Sequence, residues 1–201
     1  MPVGSQRFPL TPLQKGMLAH SLGAPGLGMY IVQPIYQFSK LDVEALEHSL
    51  NKVVNRYDVF KASFHFDGVE AFAQFQDHVT IQFQSHDWTT IRSAFERQKL
   101  LRKFLISDKQ IDFDFLSPPL IRPSIVNLPD DKSLLILTHH HLLLDGFSSP
   151  IFSRELMQLY QARKASAIEP ELQARPPFAE FLAWLSQRDQ TTDLVFWKGY
   201  M

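Results

Sequence analysis

The sequence predicts an α/β sandwich, a mixed sheet with helices packed on it, and three observations carry that expectation. Residues 42–57 set Leu46, Leu50, Val53, Val54 and Tyr57 at helical spacing, which marks a helix buried along one stripe. The β-leaning runs 60–66 and 69–75 flank Asp67-Gly68, a pair suited to the positive-φ turn of a hairpin. Residues 134–137, all Leu or Ile, read as a buried strand that runs into three consecutive histidines. The 201 residues are 45% hydrophobic and 20% charged, enough for a substantial core.

Taken in order, residues 10–22 open with Thr11 as N-cap, Pro12 at the first helical position and Gln14 three residues past the cap, a capping-box pattern. Gly23, Pro25 and Gly28 stop that helix, and 29–39 is a strand with an edge or bulge at Pro34. Asp42 caps the helix 42–57. Val79, Ile81 and Phe83 alternate as a short strand. Residues 89–105 form a helix with Ile91, Phe95, Leu101, Phe104 and Leu105 inward and a basic, solvated outer side. A connector at 111–119 leads to a strand at 120–128, and Pro129-Asp130-Asp131 turns the chain into the histidine strand. Ser149 and Pro150 then start a helix that ends near Arg163-Lys164, where cations suit the dipole. After a linker at 170–177, a helix covers 178–188 and another begins at 193, where Leu194, Phe196 and Trp197 have nothing following to pack against, so the chain reads as cut.

Composition narrows the function. The net charge of −1 and scattered Lys and Arg leave no footprint for nucleic acid. The absence of cysteine excludes disulfides, a thiol nucleophile and Cys-based zinc sites. No apolar run reaches membrane-spanning length, the N-terminus lacks a signal-peptide pattern, and a cytoplasmic location is expected.

The candidate site is the corner after the histidine strand. Strand alternation puts Leu135, Leu137, His139 and His141 on one face and Ile136, Thr138 and His140 on the other. An imidazole there can accept a proton, orient an amine or stabilise an oxyanion. His139, His141 and Asp145 offer a spacing that zinc can use, but no further ligand cluster supports a metal. Ser148 and Ser149 are helix-capping residues rather than nucleophiles. Phe72, Phe113 and Phe115 are core.

His140-His141-Leu142-Leu143-Leu144-Asp145-Gly146 fits the HHxxxDG motif of nonribosomal peptide synthetase condensation domains. Residues 8–22 resemble the family's opening motif. Residues 55–64 resemble its RHexLRtxF segment, keeping Arg56 and Phe64 but carrying Tyr57, Phe60, Lys61 and Ala62 in place of the usual His, Leu, Arg and Thr. Residues 113–128 resemble its FDL…PLxR strand. The resemblance covers nearly the whole chain but only the N-terminal half of such a domain. It implies a chloramphenicol-acetyltransferase-like lobe, residues 1–201, whose C-terminal lobe is absent and would complete a tunnel for two peptidyl carrier proteins, donor and acceptor. The lobe itself would bind no cofactor, because substrates arrive on phosphopantetheine arms. His141 would be the catalytic histidine and His140 a structural one. Asp145 would hold the corner by pairing with an arginine, Arg56 or one from the absent lobe, which would lower its pKa. Gly146 would give backbone room or an unusual φ. Phe147-Ser148-Ser149 after the motif favours condensation over epimerization, and the opening PLTPLQKGML with the three leucines before Asp145 leans toward a D-configured or acyl donor. Two other functions fit the same residues: a lobe that only docks carrier proteins, and a CoA-dependent acyltransferase that completes its cleft as a homotrimer.

Overall fold

The computed structural model describes residues 6–67, 69–189 and 191–200. The N-terminal residues read for a signal peptide begin outside this set, as do Gly68 of the expected hairpin turn and Met201.

Strand β1 (Phe8–Pro9) leads into helix α1 (Pro12–Gly23) through a complete capping box. Gln14 N–H donates to Thr11 Oγ1 at 3.1 Å, and Thr11 N–H donates to Gln14 Oε1 at 3.2 Å. The expected strand at 29–39 is divided into β2 (Ile31–Val32) and β3 (Ile35–Ser39), with Pro34, which has no N–H to give a ladder, between them. Helix α2 (Val43–Arg56) starts where Asp42 accepts from Ala45 N–H at 2.9 Å.

A 3-10 turn at Asp58–Lys61 takes the place of the first two residues expected in a strand. The hairpin therefore consists of β4 (Ala62–Phe66) and β5 (Ala71–Phe75), and Asp67 Oδ1 accepts from Val69 and Glu70 N–H at its bend. With β1 it makes a three-stranded sheet, in the order β1-β5-β4.

The alternation at Val79, Ile81 and Phe83 proves to be a pattern of burial, not a strand. Val79 and Ile81 are buried, but their backbone is held by side chains of α2. Asn55 accepts from Val79 N–H at 2.9 Å and donates to Val79 O at 2.8 Å, and Asn51 accepts from Ile81 N–H at 3.0 Å. An extended segment satisfied in this way needs no ladder. The strand at this point, β6 (Gln84–Asp87), begins just after it.

Helix α3 (Ala94–Lys109), capped by Ser93, begins five residues later than expected, and Phe95 is 76% exposed rather than inward. Strands β7 (Ile121–Leu128) and β8 (Lys132–His140) form an antiparallel hairpin through Asp130 and Asp131, whose φ angles are 62° and 53°. β6 joins β7 in parallel, while β2 and β3 both lie antiparallel along β8. β8 is thus the centre of a mixed five-stranded sheet.

Helices α4 (Ser148–Lys164), α5 (Phe178–Gln187) and α6 (Thr191–Tyr200) complete the chain. Leu135 and Leu137 on one face of β8 join the core with Phe152, Leu156 and Leu159 of α4 and Leu46, Leu50 and Val53 of α2. The opposite face is tied to α3 by Asp108, which is 3% exposed. Its carboxylate accepts from Thr138 Oγ1 at 2.5 Å, Gln33 Nε2 at 2.8 Å and Arg122 Nε at 2.8 Å. One carboxylate therefore joins α3 to β7, β8 and the β2–β3 link.

Candidate active site

β8 delivers its histidines to three different environments. His139 shares the core face with Leu137, as alternation requires. Its Nδ1–H donates to Leu137 O at 3.1 Å, while Nε2 has no hydrogen-bond partner among the described residues. Burial above all holds its pKa below the usual imidazole range.

His140 lies on the other face, 1% exposed. Its Nδ1 accepts from Leu142 N–H at 3.1 Å, so the neutral ring carries its proton on Nε2 and donates to Ser21 Oγ at 3.0 Å. Phe115 packs edge-on against it at 5.1 Å, and Tyr30 lies 6.1 Å away. Burial, with smaller effects from His141 and His139, lowers its pKa to about 4. It is a neutral lock at the strand end.

His141 leaves the strand. Its N–H donates to Tyr30 O at 2.8 Å as the chain turns, and Gln14 of α1 reaches across to Leu142 O at 3.3 Å. The capping box that starts α1 thereby also anchors the turn that presents His141. The ring's Nδ1 lies 2.5 Å from Leu144 O. A carbonyl can only accept, so Nδ1 carries the proton and the lone pair of the neutral ring sits on Nε2. Half-buried, His141 lines a cavity of about 630 Å³.

Asp145 does not pair with Arg56. Its Oδ1 accepts from Phe147 N–H at 3.1 Å, Ser148 N–H at 2.7 Å and Ser148 Oγ at 2.7 Å, and its backbone carbonyl accepts the first helical bond of α4 from Ser149 N–H at 3.0 Å. It does the work of an N-cap, and its pKa is lowered by the bond from the Ser148 side chain, then by backbone N–H groups, rather than by a cation. The expected cap, Ser149, lies inside the helix and donates from Oγ to Asp145 O. Gly146 has no left-handed φ, and a Cβ there would meet open space, so this chain gives it no conformational demand.

Arg56 sits at the end of α2 against α4, where Glu155 is its buried partner. Arg56 Nε is 3.3 Å from Glu155 Oε2, Arg175 Nε is 3.5 Å from Oε1, and Tyr57 Oη donates to Oε2 at 2.6 Å. Arg56 also donates to Gln173 O. Lys61 reaches Asp77 O at 3.4 Å on the surface. Glu155 and Arg175 belong to no motif that the sequence displays. The available signal is a carboxylate at position 155, inside the inward stripe 152, 156, 159 of an amphipathic helix.

Phe72 is buried, and Phe113 and Phe115 are half-buried against the core, as expected. Among the described residues, no group of three or more His, Cys, Asp and Glu side chains could hold a metal ion. No helix among them is long and apolar enough to cross a membrane.

Residues 5–201 match the family model described as Condensation domain. One of the linear gramicidin synthase polypeptides of Brevibacillus parabrevis is 33% identical over 195 residues, 96% of this chain and 2% of that protein. A mycosubtilin synthase polypeptide of Bacillus subtilis is 31% identical over 96% of this chain and 7% of that protein. The chain thus spans a small part of these relatives. Among solved structures, the first condensation domain of the calcium-dependent antibiotic synthetase, bound to a substrate analogue, superposes with a TM-score of 0.77 at 18% identity, covering 98% of this chain and 48% of that one. A variant of the starter condensation domain of rhizomide synthetase gives 0.84 at 14% identity, with the same coverage. The shared fold is that of about half a condensation domain.

Proposed function

The chain belongs to the condensation-domain family, and from that premise we propose that it is the N-terminal lobe of a peptide-bond-forming acyltransferase whose substrates are thioesters on carrier proteins. The acceptor's amine attacks the donor's thioester carbonyl, a tetrahedral intermediate forms, and the donor's thiol leaves as the amide closes. The observation that carries the reading is the tautomer of His141. With Nδ1–H committed to Leu144 O, the lone pair of the neutral ring sits on Nε2 of a residue that lines the cavity. That arrangement favours accepting the amine's proton, or orienting the amine, over donating to an oxyanion, which would need a protonated ring.

His140 and Asp145 act through position. The first locks the strand end, and the second caps α4 just beyond the reactive turn. A second lobe would close the cleft, and its covering surface fits the exposed Phe181, Trp184, Phe196, Trp197 and Tyr200 of α5 and α6. Intact-mass detection of amide transfer between a loaded donor carrier and a loaded acceptor carrier tests the reading. Product is expected from this chain mixed with a C-terminal lobe and not from either lobe alone. Product from this chain by itself would favour a self-assembled cleft, and carrier binding without turnover in any mixture would leave a docking module.

A further inference from the structure

We infer that the cavity beside His141 is a selectivity pocket for a bulky, uncharged apolar group, so that the preferred substrate carries such a group next to its reacting centre. The inference rests on the reading above and adds the substrate class. At about 630 Å³ the cavity is in the size range of sites that enclose a drug-sized ligand. Its apolar wall comes from four separate elements: Leu13 and Met17 of α1, Leu143 of the turn, Ile151 and Phe152 of α4, and Phe178 of α5.

Two of the three carboxylates on the same wall are turned to other duties, and the third, Glu180, is exposed. Asp58 accepts from Phe178 and Ala179 N–H at 2.8 and 2.9 Å, capping α5, and Asp145 caps α4. Arg175 on the wall is paired with Glu155, as is the Tyr57 hydroxyl. Arg175 Nε makes no hydrogen bond among the described residues, but its charge is already answered by Glu155. With Asp58, Asp145 and Glu180 the wall carries more carboxylates than cations, so an anionic substrate group would lose water against a wall of its own sign. A methylene moved from water into such a pocket is worth roughly fourfold in affinity.

The test measures binding of S-acyl-pantetheines to the 201-residue chain by NMR, following the imidazole signals of His141. One arm lengthens the acyl group from acetyl to octanoyl. The other keeps the thioester aminoacyl and enlarges the side chain from glycyl to phenylalanyl. The expected result is affinity rising roughly two- to fourfold per methylene in at least one arm, with a plateau. The arm that rises identifies whether donor or acceptor supplies the group. A carboxylate at the end of the longest acyl chain should cost roughly tenfold or more. Leu13→Trp at an exposed position, and Ile151→Trp, should each bring the plateau to a shorter acyl chain or smaller side chain. Affinity flat in both arms, or tryptophan variants that leave the plateau where it was, would overturn the pocket. Amide transfer that persists with flat affinities would remove the pocket alone. Failed transfer with the size dependence intact would remove the enzymatic reading and keep the pocket.

Discussion

Arg56 is expected to be energetically coupled to Glu155 and not to Asp145, and a pair of double-mutant cycles measures this. The variants are Arg56→Met, which keeps much of the apolar stem, Glu155→Gln and Asp145→Asn, singly and in the two combinations with Arg56→Met. Glu155 is 3% exposed and holds two guanidiniums and one hydroxyl. Breaking a buried ion pair costs about 3–5 kcal/mol when the remaining charge is left alone. Here Arg175 and Tyr57 remain, and Arg56 is itself partly exposed, so Arg56→Met should cost about 1.5–3 kcal/mol, with a coupling to Glu155 of about 1–2 kcal/mol. Asp145 is exposed and bonded to groups at the start of α4, which an asparagine can also cap, so Asp145→Asn should cost less than about 0.5 kcal/mol and be additive with Arg56→Met within the same margin. Urea unfolding of the wild type and these variants gives both cycles. A coupling above about 1 kcal/mol between Arg56 and Asp145, with Glu155 additive, would refute the assignment of Arg56 to Glu155.

Stability should fall on acidification because of His140. The unfolded chain binds a proton there below about pH 6.5, whereas the folded chain does so only below about pH 4, so protons favour unfolding across that window. The loss from His140 should approach about 3 kcal/mol at its lower end, seen as a falling urea midpoint from about pH 7 to 4.5 that His140→Gln makes shallower, with the buried His139 contributing a loss of the same sign. Asn55→Ala strips the partners from both backbone groups of Val79 and should cost about 2–3 kcal/mol by urea unfolding, well beyond what an exposed asparagine would. Asp108→Ala leaves Arg122 and Thr138 without their shared acceptor and should cost about 3–5 kcal/mol, with hydrogen exchange rising in α3 first.

The elements legible in the sequence are those whose signals are local. The capping box at Thr11 and Gln14 and the stripe of α2 involve residues within a few turns of each other, and alternation alone divides His139 from His140. Where sequence and structure part, the deciding partner lies far along the chain. Val79 and Ile81 look like a strand because they are buried alternately, but their hydrogen bonds come from asparagines 24 and 30 residues earlier. Phe95 fits an inward position by spacing, yet α3 is tied to the sheet by Asp108 at its far end, and its first turn stays outside. The motif offers Arg56 the carboxylate of Asp145, because nothing local in the sequence shows that α4 carries Glu155 to the end of α2. The dual use of Gln14, for the cap of α1 and for the turn at Leu142, also spans 128 residues and has no local sign.

The most direct test of the central claim is single-turnover amide formation in the complete domain, with loaded donor and acceptor carriers, comparing the wild type with His141→Ala. The account predicts a loss of about 10²–10⁴-fold in the alanine variant, the range of a positioned proton acceptor, with the urea midpoint close to that of the wild type. Unchanged turnover in a folded His141→Ala protein would contradict it and move the chemistry elsewhere in the cleft.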